Sequence, residues 1–160
     1  MQDLIHQDLI SSEGIFQEKE LKKITSVSGG CIHKSWCIEL LDGKKFFAKT
    51  TSNKDFPMLK FEANCLKQLK KYSNEEYLKV PEIIKIKQFR KNSILLLNWI
   101  NLDRGDQTKL GKGLAYMHKA SFEKHLKKFG WADDGFIGIN IQKGGWNDNW
   151  GVYFVNFRLQ

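Results

Sequence analysis

Cysteine is scarce. The three present, Cys31, Cys37 and Cys65, form no Cys-x-x-Cys pair and stand beside no histidine set at zinc spacing, so neither a disulfide framework nor a structural metal is expected. No metal ligand is assigned. Long apolar runs are missing as well: Ile94 to Leu97, followed by Trp99 and Ile100, is the longest, far short of the roughly 18 residues that span a bilayer. The opening residues, Met1-Gln2-Asp3-Leu4-Ile5-His6-Gln7-Asp8, place acids and polar groups where a secretory signal has a basic start and an apolar stretch. The expected location is the cytoplasm, with no membrane partner. Acids are outnumbered, 18 Asp and Glu against 26 Lys and Arg, which leaves a net charge of +8. Basic excess raises nucleic-acid binding as a function class. The lysines are scattered, however, in pairs such as Lys22-Lys23, Lys44-Lys45, Lys70-Lys71 and Lys127-Lys128 near the ends of predicted elements, where solvated charge ordinarily sits. Nucleic acid is therefore an unfavoured partner.

What is present is an ordinary globular composition. Apolar residues make up 41% and charged residues 28%, which excludes a disordered chain, and 160 residues suffice for one sizeable core or for a small lobe with part of a second. Leu4, Ile5, Leu9 and Ile10 recur at helical spacing before Gly14, so a short amphipathic helix opens the chain. From Ile24 the pattern turns to β: Ile24 to Ser28, Ser35 to Leu40, and Lys45 to Lys49, the last two joined by the hairpin turn Leu41-Asp42-Gly43-Lys44. A helix fits Met58 to Tyr72, with Pro57 suited to its first turn. Val80 to Ile86 and Ser93 to Leu97 read as two further strands around the turn Arg90-Lys91-Asn92. Five strands and a helix make a small α+β lobe over residues 1–100. Residues 101–160 begin a second, mainly helical lobe: a helix starts at Asp106 with Leu110, Leu114, Met117 and Ser121 on one face, and an aromatic helix opens around Trp146 to Phe154.

One charge stands out against this pattern. At about 100° per residue, Leu59, Glu62, Leu66 and Leu69 share one narrow arc, and a glutamate on an apolar stripe is rare unless a cation meets it. Lys49, which closes the strand Lys45-Phe46-Phe47-Ala48-Lys49, is the expected cation. A lysine ending a strand and a glutamate on the following helix are what a protein-kinase-like small lobe uses to hold ATP phosphates, the lysine donating to oxygens and the glutamate keeping it in place. Ser28-Gly29-Gly30-Cys31-Ile32-His33-Lys34-Ser35 is the candidate phosphate-covering turn, since glycine lets backbone N–H groups approach oxygens with no Cβ in the way. Gly29 and Gly30 match neither the three-glycine pattern of eukaryotic protein kinases nor the Walker pattern, and alone they describe an ordinary hairpin turn equally well. Cys31, expected to be exposed at the tip near Lys34, has surroundings that make a thiol reactive, although a small hydrophobe is the plainer reading. His33 and His118 read as a surface and a helix-packing histidine, and neither is assigned to catalysis.

Several segments then occur in one order: Gly29-Gly30-Cys31-Ile32, Phe46-Phe47-Ala48-Lys49, Phe61-Glu62-Ala63, Val80-Pro81-Glu82-Ile83-Ile84, Leu110 to His118, Phe129-Gly130-Trp131, Phe136-Ile137-Gly138, Gln142, Gly145-Trp146 and Trp150. Together they resemble the fructosamine kinase family, which includes ketosamine-3-kinase-like proteins and is related to aminoglycoside phosphotransferases. The resemblance runs from Ile24 to Gln160, with Phe129 to Trp150 as its most family-specific part. It implies a kinase-like fold and an ATP- and magnesium-dependent kinase that phosphorylates a sugar hydroxyl of free or protein-bound ketosamines, leading to protein deglycation. It further implies that Lys49 and Glu62 are the ATP-phosphate pair, that Gly29 and Gly30 form the phosphate loop, and that Asn98, Trp99 and Ile100 lie at a hinge whose backbone binds adenine. Cys31 matches a phosphate-loop cysteine linked in this family to redox control through an intersubunit disulfide.

The sequence also departs from the family. Gly135, Ile141 and Gly144 stand where asparagine, proline and asparagine are usual, and Phe47 fills a place that eukaryotic protein kinases give to a small residue facing adenine. The family's His-Gly-Asp-Leu-Trp catalytic loop and its downstream magnesium-binding aspartate have no counterpart before Gln160. Asp133, Asp134 and Asp148 read instead as caps of turns and helices. The expectation is a chain truncated before the catalytic loop, with no catalytic residue assigned and Mg2+ needed only in a full-length form. A non-catalytic nucleotide-binding or interaction module is the alternative class, and a basic nucleic-acid-binding protein the third. A homo-oligomer is expected through Cys31, or through a surface left where Tyr153, Phe154 and Phe157 lack partners.

Overall fold

The computed structural model describes residues 2–11, 14–17, 20–30, 32–102, 104–125 and 127–159. The alternating segments form five strands, β1 (Leu21–Val27), β2 (Lys34–Leu40), β3 (Lys45–Ser52), β4 (Ile83–Gln88) and β5 (Asn92–Asn98), in the spatial order β1-β2-β3-β5-β4 with every neighbouring pair antiparallel. The hairpin between β2 and β3 turns at Gly43, whose φ of 86° is a conformation that residues with a Cβ rarely adopt, and the Asp42 carboxylate accepts the Lys44 N–H at 2.9 Å. The edge strand β4 begins at Ile83 rather than at Val80. Pro81 has no N–H to give a ladder, and Glu82 instead pairs with Asn98: its N–H donates to the Asn98 Oδ1 at 2.6 Å and its carbonyl accepts the Asn98 N–H at 3.0 Å.

Side chains alternate across a strand, so the two faces of the sheet differ. Trp36, Ile38, Leu40 and Ala48 share one face with Ile24, Ile94 and Leu96, and they form a buried cluster with Phe89 and with Ile5 and Leu9 of α1 (Gln2–Ile10). Ile10 packs at its margin, while the side chain of Leu4 lies outside the described set. The opposite face carries Lys49, with Ser35 and Leu95 directly across from it on the two neighbouring strands. A 3₁₀ turn over Asn53–Asp55 leads into α2 (Phe56–Tyr72), which holds Pro57 in its first turn and buries Leu59 and Ala63.

Contacts group Met1–Ala63 with Pro81–Asn101 as one unit, and Asn64–Val80 with Leu102–Gln160 as another. In the second unit, α3 (Gln107–Lys124) starts where the sequence places it, with the Asp106 carboxylate accepting the N–H groups of Thr108 and Lys109 at 2.8 and 3.1 Å. The helix buries Gly113 and Met117, whereas Leu110 and Leu114 are exposed and so is His118, which was expected to pack. A Cβ on Gly113 would come within 2.8 Å of the Tyr77 Cβ, so the small residue sets how closely this face is approached.

The glycine- and aromatic-rich stretch after α3 holds four strands that periodicity did not reveal. β6 (Phe129–Trp131) pairs with β9 (Gly145–Asn147), and inside that pair β7 (Gly135–Ile137) meets β8 (Asn140–Gln142). Three residues are too few to display an alternation. α4 (Trp150–Arg158) follows, capped by the Asn149 side chain, which accepts the Val152 N–H at 3.0 Å. Two of its aromatics correct the expectation of unpartnered rings: Tyr153 is buried and stacks on Phe157 at 5.3 Å, and Arg158 bonds the Tyr153 hydroxyl. The exposed apolar groups of this helix are Trp150, Val152, Phe154 and Val155.

Leu96 is fully buried against α1 and Leu41 is 65% exposed in the hairpin turn. Leu96→Ala is expected to lower unfolding free energy by about 2–5 kcal/mol, and Leu41→Ala by no more than about 0.5 kcal/mol. Urea titrations of the two variants check this, and equal costs would contradict the packing described.

Candidate nucleotide-phosphate site

Lys49 and Glu62 meet. The Lys49 Nζ donates to Glu62 Oε1 at 2.6 Å, and each side chain keeps 28% of its surface exposed. The partner inferred from the helical stripe is thus the actual one, where the second turn of α2 passes the middle of β3, a strand that continues to Ser52 rather than closing at Lys49. α2 is held at its start by Asn53, whose Nδ2 donates to the Phe89 carbonyl at 2.8 Å and whose Oδ1 accepts from the buried Ser93 hydroxyl at 2.7 Å. Ser52 adds a hydroxyl bond to Asp55 at 2.8 Å. These polar ties join the β4–β5 turn to the helix start, and none of them was legible in the sequence.

Gly29 and Gly30 lie in the turn that leaves β1. Gly29 has a φ of 114° and open space around it. A Cβ on Gly30 would stand 2.9 Å from the His33 carbonyl oxygen and 3.3 Å from Ser35 Oγ, so the turn folds onto itself as tightly as glycine allows. Ser35, buried in β2, is the residue opposite Lys49, which brings the glycine turn and the ion pair to one end of the same sheet face. Cys31 lies outside the described residues.

Asn98, Trp99 and Ile100 are at the other end of the sheet. Asn98 pairs with Phe46, three residues before Lys49, so the two places are separated by roughly 10 Å at about 3.3 Å per residue. The Asn98 N–H is committed to Glu82, which leaves the backbone of Trp99 and Ile100 as this segment's candidates for a base. The Trp99 indole N–H donates to Asn101 Oδ1 at 3.0 Å, and Ile100 is half-buried. Between the two ends Phe47 occupies the same face as Lys49, opposite Cys37 and Leu97, an apolar floor of the kind a flat ring would cover.

The residue that sequence reasoning set aside is His33. It is half-buried rather than on the surface, and its Nδ1 is buried without a hydrogen-bond partner among the described residues. Burial holds its pKa below the usual 6.5, with Glu62 and Asp55 pulling it up and Lys49 pushing it down. Its position inside the glycine turn, two residues before the β2 serine that faces Lys49, was the available signal.

An antiparallel five-stranded sheet with a helix salt-bridged to its central strand defines a kinase-like α+β fold. The crystal structure of a candidate fructosamine-3-kinase from Haemophilus somnus superposes with a TM-score of 0.69 at 20% identity, covering 97% of this chain and 50% of that one. A second candidate fructosamine-3-kinase, from Thermobifida fusca, gives 0.64 at 21% identity over 88% of this chain and 47% of its own. The fructosamine kinase family model matches residues 1–160, and the chain belongs to that family. Among curated relatives, a probable ketoamine kinase of Synechocystis is 31% identical over 147 residues, which is 89% of this chain and 47% of the relative. The chloroplastic protein-ribulosamine 3-kinase of Oryza sativa subsp. japonica is 34% identical over 151 residues, 91% of this chain and 42% of the relative. The chain spans about half the length of the curated relatives it matches.

The depressed pKa of His33 has a consequence for stability. The unfolded chain takes up the imidazole proton first, so the folded state loses stability as pH falls from 6.5 through the lowered folded value, and nothing is lost above that window. His33→Gln is expected to shrink the drop in urea midpoint between about pH 7.5 and 5.5. An unchanged drop would place the titration elsewhere.

Proposed function

We propose that this chain is the nucleotide-holding part of an ATP-dependent ketosamine kinase. The observation that carries the reading is the Lys49–Glu62 pair at 2.6 Å, set beside a glycine turn on one sheet face. An exposed or half-exposed ion pair adds only about 0–1 kcal/mol to stability, so its value lies in aiming the ammonium. In this reading Lys49 donates to nucleotide phosphate oxygens, Glu62 keeps the lysine from folding back, and the Gly29–Gly30 backbone lies over the phosphates. Phe47, Cys37 and Leu97 cover the base, whose edge meets the backbone of Trp99 and Ile100. Bound ATP supplies the transferable phosphoryl group. Residues 1–100 form the lobe that holds it, and residues 101–160 begin the lobe that carries the acceptor. The acceptor class, a sugar hydroxyl of a ketosamine, is supported by the names of the family and the relatives, and protein deglycation is the outcome this reading gives it.

A proton acceptor for that hydroxyl is not assigned to this chain. Glu62 is taken by Lys49, and Asp55 accepts from Ser52. Asp134 accepts the Gly144 N–H at 2.9 Å and the Lys143 ammonium at 2.6 Å, which closes a turn. Among the described residues no group of three or more His, Cys, Asp or Glu is placed to hold a metal, and the reading assigns no magnesium ligand here. The cytoplasm is the proposed compartment, in keeping with the free thiol of Cys37. No helix among the described residues is long and apolar enough to cross a membrane. A homo-oligomer remains part of the proposal, through the exposed Trp150 and Phe154 surface or through Cys31. The basic charge does not call for nucleic acid: Lys22, Lys44, Lys70 and Lys143 are each paired with a carboxylate.

Calorimetric titration with magnesium and ATP is the test. Lys49→Ala is expected to weaken nucleotide binding at least about tenfold, the scale of one charge-assisted hydrogen bond, while changing unfolding free energy by no more than about 1 kcal/mol. Equal affinity in the two proteins would overturn the site. The 160-residue chain by itself is expected to transfer no phosphate to a ketosamine; magnesium-dependent transfer that disappears in Lys49→Ala would show that the proton acceptor lies within it after all.

A further inference from the structure

We infer that His33 is a further phosphate-contacting residue of this site, its Nδ1 without a partner among the described residues because the nucleotide's phosphate oxygens complete it. The inference rests on the ATP reading above and adds to it a residue that neither the lysine–glutamate pair nor the glycines require. Its basis is geometric. His33 belongs to the same turn as Gly29 and Gly30, its carbonyl oxygen is the group that a Cβ on Gly30 would strike, and two residues later the chain reaches Ser35, opposite Lys49. The turn thus enters β2 two residues before the serine that faces Lys49, with the His33 Nδ1 buried, and the charged groups that act on the imidazole are Glu62 of α2, Lys49 of β3 and Asp55 of the 3₁₀ turn.

A buried polar atom without a partner costs about 1–3 kcal/mol, and native folds rarely retain one that nothing ever meets. Glu62 is the acceptor nearest in kind, but its Oε1 already takes the Lys49 ammonium at 2.6 Å. A phosphate held by Lys49 and the glycine turn brings several further acceptor oxygens to the same place. A neutral imidazole has one N–H to give to them, and the tautomer with that hydrogen on Nδ1 serves.

Proton linkage follows. Phosphate charge favours the imidazolium, so the His33 pKa rises when nucleotide binds, and binding takes up protons in the interval between the free and bound values. Affinity therefore increases as pH falls through that interval and is level above and below it. Lys49 opposes the imidazolium in the free site, and the phosphates compensate both cations in the filled one.

The experiment is calorimetric binding of magnesium and ATP to the full chain, at about pH 8 and pH 6, for the wild type, His33→Ala, His33→Gln and Lys49→Ala, with imidazole ¹⁵N shifts recorded on the wild type. His33→Ala is expected to weaken binding about three- to thirtyfold, and His33→Gln less, because the amide keeps an N–H donor. The ratio of wild-type to Gln affinity should grow from pH 8 to pH 6. Protonation of the nucleotide itself cancels in that ratio. The His33 Nδ1 resonance should shift on nucleotide addition and titrate at a higher pH. Should His33→Ala disrupt folding, the Gln variant and the wild-type ¹⁵N titration decide alone. If His33→Ala or His33→Gln binds as the wild type does, with no pH-dependent ratio and no ¹⁵N shift, while Lys49→Ala has lost binding, the role of His33 is overturned and the ATP reading stands. If the wild type binds no ATP, or binds it no better than Lys49→Ala, the ATP reading falls and takes this inference with it.

Discussion

The register of β3 governs which groups this protein can bring together. Ala48 is fully buried beneath α1, while Lys49, the next residue, emerges on the opposite face toward Glu62. A slip of one residue would drive the ammonium into the cluster of Trp36, Ile38 and Leu96 and turn the alanine toward the glutamate. No compensation exists for a charge in that cluster, so the packing of α1 against the sheet holds the lysine where it is. The apolar core and the candidate site are thus two consequences of one alternation.

Register alone does not place the glutamate. α2 must leave the sheet at a set angle, and that angle is held by polar contacts at its start: Asn53 bridges the Phe89 carbonyl and the Ser93 hydroxyl, and Ser52 bonds Asp55. Such bonds are directional where apolar packing is not, which makes a short polar stretch suited to aiming a helix. Seven residues beyond Asp55 the helix presents Glu62, with Leu59 and Ala63 on either side of it buried. A carboxylate flanked in this way has few rotamers left, and the ion pair at 2.6 Å needs little further ordering.

The second unit follows a different logic. Its small ladders depend on close backbone approach: a Cβ on Gly130 would overlap the Gly145 carbonyl, and one on Gly145 would meet the Phe157 ring at 2.6 Å. Gly144, one of the departures from the family pattern, packs against the Asp133 backbone so closely that an asparagine there would require the chain to shift. The aromatic rings then stack in series, His125 on Trp146 at 4.5 Å and Tyr153 on Phe157 at 5.3 Å, with Tyr72 bonded to His125 at 3.2 Å. Rings that read as unpartnered in sequence are therefore largely satisfied by one another. Leu110 and Leu114 of α3, by contrast, share a sequence stripe with the buried Met117 and yet stay exposed.

Sequence by itself determined the five strands, the long helices and the pairing of Lys49 with Glu62. Each of these follows from local periodicity, and a lone charge on an apolar stripe announces that it needs a partner. It also determined that Asp106 begins a helix, because an N-cap is a matter of neighbouring atoms. Only the tertiary structure decided that the His33 Nδ1 is buried, that Asn98 spends its amide on Glu82, and that four three-residue strands fold within the glycine-rich segment. Those outcomes depend on contacts between residues far apart in the chain or on elements too short to carry a period, and neither leaves a repeating mark in the order of amino acids.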